Sequence, residues 1–193
     1  MINFFKQIKR RRILSRILSE VREKERDIFL NFDKIGSVGV AYTVSHPNSY
    51  NEIKDIIDFL NSTGLCFVIV LFERKKGYFV KFGIEQLQST PNIVLIPKDK
   101  FNWVGVPFGK SYNDLITNNY DLFLFCNSPH DFPMDYTAAK VNAKFTSAMC
   151  DSGRSLYTLL ICGDNKQLLS SIDYVKQVFH YIKTIKTNKN TTE

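Results

Sequence analysis

"LCFVIVLF", Leu65 to Phe72, is eight apolar residues without a break. That is strand length, and an apolar run with no polar alternation suits a strand covered on both faces, as in a parallel sheet. Strand and helix patterns alternate on either side of it. Upstream, "IGSVGVAYTV" (Ile35 to Val44) reads as a first buried strand. Ser49 then opens a helix, with Glu52 completing a capping box, Ile53, Ile56, Ile57 and Leu60 as the inward stripe, and Gly64 as the stop. Downstream, "ERKKGYFVKFG" (Glu73 to Gly83) carries a turn signal and reads as an exposed hairpin or edge strand. "NIVLI" (Asn92 to Ile96) reads as a third central strand.

The alternation continues. A short helix at Tyr112 to Thr117 leads into a strand at Tyr120 to Cys126. Ala138, Ala139 and Ala143 let a helix at Met134 to Lys144 lie close on a sheet. Strands follow at Phe145 to Cys150 and Leu156 to Cys162, and an amphipathic helix at Leu168 to Ile185 closes the pattern. The expected fold is α/β: a Rossmann-like, open, mostly parallel sheet with helices on both faces, plus a basic N-terminal helix. The expected organisation is a basic helical arm (1–30), a single α/β domain (31–187) and a disordered tail (188–193).

Composition supports a folded domain, since 44% of the 193 residues are hydrophobic and 16 are Phe. The net charge of +7 is concentrated at one end. Residues 1–26 hold nine Lys or Arg against three Glu, so the arm accounts for +6 of it. Within the arm, Ile13, Leu14, Ile17, Leu18 and Val21 share one helical face, and Phe4, Phe5 and Ile8 project from another. Arg10, Arg11 and Arg12 stand where the apolar region of a signal peptide would lie, and no run is long enough to span a membrane. The expected location is cytoplasmic, with peripheral attachment at the inner membrane as an extension. Cys66, Cys126, Cys150 and Cys162 form no C-x-x-C pair and read as buried free thiols. No metal site and no cofactor are expected.

The basic N-terminal helix, "DKFNWVGVP" (Asp99 to Pro107), "YDLFLFCNSPHDFPMDYTAAKVNAKF" (Tyr120 to Phe145) and the closing helix together resemble a family of small bacterial proteins catalogued as a domain of unknown function. A more distant likeness is to the N-terminal domain of lipopolysaccharide heptosyltransferases, which also follow a "YDLVID"-type strand with a polar loop and an Ala-rich helix. The chain departs from those enzymes after its first strand, where Thr43 to Pro47 read "TVSHP" in place of a Gly-Asp turn. Its length also leaves no room for their donor-binding second domain. The resemblance therefore implies a Rossmann-like fold and gives almost no support to an enzyme activity.

Two sets of residues are candidates for function. In a parallel α/β sheet, ligands sit beyond the carboxyl ends of the strands. Ser45 and His46 fall there after the first strand, Asn127, Ser128, His130 and Asp131 after the fourth, and Asp151 after the fifth. No G-x-S-x-G elbow, Gly-rich dinucleotide fingerprint or P-loop accompanies them, so no catalytic residue is assigned. His180 reads as a surface residue of the last helix, and Trp103 as a packing anchor. The second set is the cationic stretch Lys6, Lys9, Arg10, Arg11, Arg12 and Arg16, suited to RNA phosphates or to an anionic membrane surface. The expectation is a non-catalytic binding or adaptor module working through its basic helix. The alternative is an enzyme or small-molecule sensor of glycosyltransferase-like ancestry using the crevice.

Overall fold

The structure is a computed structural model that describes residues 2–22, 32–126, 131–149, 156–162 and 169–187. Six strands form one sheet: β1 (Ser37–Val44), β2 (Cys66–Glu73), β3 (Ile93–Ile96), β4 (Asn119–Cys126), β5 (Asn142–Met149) and β6 (Leu159–Ile161). Every pairing is parallel, in the order β3-β2-β1-β4-β5-β6. That order places β1 and β4 side by side at the centre, where chain progression reverses direction. This is the topological switch point of a doubly wound, Rossmann-like sheet. The "NIVLI" strand is β3 and lies at the edge of the sheet, not in its centre.

Period-two alternation sends residues to opposite faces. Val38, Val40, Tyr42 and Val44 of β1 face α2 (Ser49–Thr63) and α6 (Ser171–Thr187), where Ile53, Ile56, Leu60, Val175, Val178 and Ile182 are buried. Ala41 faces the other way, with Val70, Phe72, Phe123 and Phe125, toward α4 (Lys110–Thr117) and α5 (Phe132–Lys140). Ala138 is completely buried on that side. Gly39 belongs to this face for a steric reason. The ring of Phe123, its partner across the ladder, lies over it, and a Cβ there would sit 2.2 Å from the ring.

The segment after β2 is neither hairpin nor strand. It forms a single helical turn, α3 (Tyr78–Lys81), and a 3-10 turn at Ile84–Ser89, with Phe79, Ile84 and Leu87 packed into the α2 side of the core. The capping box at Ser49 does not form either. The Ser49 hydroxyl accepts from the backbone N–H groups of Ser45 and His46, while the Glu52 carboxylate accepts from Tyr42 and Ser171 hydroxyls at 3.0 and 2.9 Å. The four cysteines are not uniformly buried thiols. Cys126 is buried and free, Cys66 is exposed and free, and Cys162 is disulfide-bonded.

The N-terminal helix α1 (Ile2–Arg22) packs outside α5 as an additional layer. Ile17 is buried against Ala139 and Leu156, and Leu14 against Val104 and Phe132. Among the described residues, no helix is long and apolar enough to cross a membrane. The expected tail, 188–193, lies outside the described residues.

Candidate functional site

The carboxyl ends of β1 and β2, the chain after β3 and the start of α5 open onto a cavity of about 380 Å³ beside the switch point. Each wall follows from how its strand ends. β2 ends in Glu73, whose buried carboxylate accepts the backbone N–H of Phe79 at 3.2 Å and of Lys98 at 2.7 Å. That carboxylate ties the chain after β2 to the chain after β3. Arg74, the next residue, and the Lys98 side chain line the cavity. The Lys98 ammonium lies 4.7 Å from the centre of the Phe101 ring. From β1, the Thr43 hydroxyl donates to Asp131 at 2.7 Å, just before α5 begins.

The fourth wall comes from α1. Residues 101–107 form a tight loop around Asn102, whose side-chain oxygen accepts the N–H groups of Val104, Gly105 and Val106, each at 3.0 Å. The loop buries Val104 beside Leu14 and turns its carbonyl outward, where Arg10 Nε donates to it at 2.7 Å. Gly105 has φ +102°, and a Cβ on it would come within 2.6 Å of the Arg10 guanidinium. Glycine thus serves both the turn and the close approach. The guanidinium carbon of Arg10 sits 4.8 Å from the centre of the Phe132 ring, a cation–π contact, and borders the cavity.

Three cations, Arg10, Arg74 and Lys98, face two carboxylates, Glu73 and Asp131, around this cavity. Burial lowers the pKa of Arg10, partly offset by Asp131. Lys98 is lowered first by burial and then by the charges of Lys6 and Arg10, against the opposing pull of Asp131 and Glu73. Burial raises Asp131, opposed by the Thr43 hydrogen bond and by Arg74, Lys98 and Arg10. Partly dehydrated cations held close together favour an anion. Among the described residues there is no group of three or more His, Cys, Asp or Glu side chains that could hold a metal ion.

The two candidate sets therefore meet at one place. Arg10 of the arm and Asp131 of the crevice border the same cavity, whereas Ser45 and His46 do not. Ser45 and His46 are folded back on the start of α2, with His46 Nε2 3.7 Å from Glu52 Oε1. Asn127, Ser128, His130 and Asp151 lie outside the described residues. In the arm, Lys6 sits near enough to Lys98 to affect its charge, while Lys9 turns to Trp103, 4.7 Å from the ring centre. Arg11, Arg12 and Arg16 are exposed. Trp103 is itself 58% exposed, so the packing anchor of that loop is Val104. His180 is exposed on α6. Sequence reading missed Thr43, Glu73, Arg74 and Lys98. A signal for three of them was present, because Glu73 and Arg74 follow "LCFVIVLF" and Lys98 follows "NIVLIP".

Residues 6–185 match a family of unknown function, DUF6913. The chain belongs to that family. Among solved structures, this DUF6913 chain is similar to an exopolyphosphatase-related protein from Bacteroides fragilis. The two share 11% identity with a TM-score of 0.47, over 79% of this chain and 41% of that one. The neighbour is not a heptosyltransferase, and the chain spans less than half of its length. No curated protein matches the chain.

Proposed function

We propose that this DUF6913 protein is a binding module whose basic N-terminal helix recognises an anionic partner. The inner face of that helix recognises a small ligand bearing phosphate or carboxylate groups, seated in the switch-point crevice. The observation that carries this reading is the position of Arg10. A side chain from the arm is anchored by the Val104 carbonyl and the Phe132 ring on the cavity that Lys98 and Arg74 also line. A purely structural arginine could be satisfied without other cations gathered around it. Here the nearest carboxylates are already engaged, Glu73 by two amides and Asp131 by Thr43.

Binding without chemistry fits the lining better than catalysis does. Among the described lining residues there is no histidine or cysteine, and the single hydroxyl, Thr43, donates to Asp131. The test is calorimetric titration of the full chain with pyrophosphate and with citrate as probes. Arg10→Gln and Lys98→Gln should each weaken binding about tenfold or more, because a hydrogen bond to a charged group contributes roughly 1.5–3 kcal/mol. Arg11→Gln, on the exposed side, should leave it unchanged. Equal losses from all three variants would reduce the effect to diffuse charge and contradict the reading.

A further inference from the structure

We infer that the outward face of α1 docks on an anionic membrane surface. At 100° per residue, the helix separates into two sides. Lys6, Arg10, Ile13, Leu14 and Ile17 fall on the side toward the domain, where Leu14 and Ile17 are buried and Arg10 is anchored. Phe4, Phe5, Ile8, Arg11 and Arg12 fall on the other. Phe4 and Phe5 are 64% and 59% exposed and stack edge-to-face on each other, with centroids 6.2 Å apart. Among the described residues, nothing covers them.

A third exposed ring joins this surface from the 101–107 loop. Lys9 lies one turn beyond Phe5, and its ammonium rests 4.7 Å from the centre of Trp103. The surface thus combines three exposed aromatic side chains with the cations Lys9, Arg11 and Arg12. That is the chemistry of an interfacial helix, in which rings enter the headgroup region and cations pair with lipid phosphates. Charge complementarity selects an anionic lipid surface. Shape favours lipid over nucleic acid, because the rings crowd one end of a convex helix instead of lining a groove in which successive bases could stack. None of Phe4, Phe5, Lys9, Arg11, Arg12 or Trp103 lines the crevice, so this surface stands independently of the proposed ligand site.

Trp103, the single tryptophan, is a built-in reporter. The experiment adds the full chain to vesicles of phosphatidylcholine with or without phosphatidylglycerol, at low and at physiological salt, and follows both co-sedimentation and Trp103 emission. Binding should require phosphatidylglycerol, weaken as salt rises, and shift Trp103 emission to shorter wavelength. Arg11→Gln with Arg12→Gln should weaken it on the order of 30-fold, at about 1 kcal/mol per cation near the surface. Phe4→Ala with Phe5→Ala should weaken it on the order of tenfold or more through lost apolar burial. Both double variants should keep the wild-type circular dichroism and pyrophosphate titration. No binding to phosphatidylglycerol vesicles at low salt would overturn the inference. So would vesicle binding unaffected by loss of both Phe rings, or binding to single-stranded RNA with none to vesicles.

Discussion

Truncating Leu14 to alanine should release α1 without unfolding the sheet. Leu14 is buried between Val104 and Phe132, and Ile17 is the only other fully buried side chain described on that helix. Burying the two contributes roughly 1.5–3 kcal/mol each, and the part-buried Arg10 hydrogen bond, from a charged donor, adds about 1.5 kcal/mol. Docking therefore rests on a few kcal/mol, less than the stability of a typical domain. A Leu→Ala change in a core costs about 2–5 kcal/mol, and the low end applies here because the outer layer can collapse into the gap. A loss of ~2 kcal/mol corresponds to a roughly 30-fold larger undocked population. Hydrogen exchange measures this directly. Amides of α1 should exchange about 30-fold faster in the variant, while those of β1 and β4 keep their protection. Trypsin should cleave at Arg11, Arg12 or Arg16 sooner. Uniformly lowered protection across β1 and β4 would refute the reasoning, since α1 would then be part of the cooperative core. Unchanged α1 exchange would refute the docking itself.

Two further outcomes follow from other contacts. Gly39→Ala should destabilise by about 1–3 kcal/mol in urea unfolding, because the Phe123 ring must move within a packed layer, and Phe123→Leu should recover part of the loss. Asp121 joins the start of β1 to β5, accepting from Gly36 and Ser37 amides at 2.8 and 3.0 Å and from Lys144 Nζ at 2.8 Å. Burial alone would raise its pKa, but the Lys144 ammonium and the Gly36 and Ser37 donors bring it down to about 2. A lowered carboxylate stabilises above its ordinary value of 3.8 and loses that contribution as pH falls through about 2. Asp121→Asn should therefore cost about 1 kcal/mol near neutral pH, after discounting for partial exposure, and the difference from wild type should vanish in strong acid.

The central strands were legible because burial on both faces leaves a run such as Leu65 to Phe72 no polar alternation. The helices α2 and α6 were legible because their stripes repeat every three to four residues. The segment from Glu73 to Gly83 was not, since Tyr78, Val80 and Phe82 alternate as on a strand while Phe79 is the residue that one helical turn buries. Tertiary packing of Phe79 and Ile84 decides between them. The capping box failed for a similar reason. Glu52 has better partners in Tyr42 and Ser171, and Ser171 is 119 residues away in sequence. The strand-end rule was applied to three strands and omitted the ends of β2 and β3, which supply Glu73, Arg74 and Lys98 to the cavity. The meeting of arm and crevice had no local signal, because Arg10 and Val104 are separated by 94 residues.

The most direct test of the central claim, that Arg10 of the helical arm completes an anion-binding crevice, is an NMR titration that follows the Arg10 Nε–H signal, assigned through Arg10→Lys. The signal should stand apart from those of exposed arginines, because its proton is donated to the Val104 carbonyl beside the Phe132 ring. Added pyrophosphate should move it in a saturable manner, in step with the Lys98 amide and with the affinity measured by calorimetry. Saturable binding that leaves Arg10 Nε–H unmoved while shifting Arg11 and Arg12 would contradict the account, and so would the absence of any saturable shift.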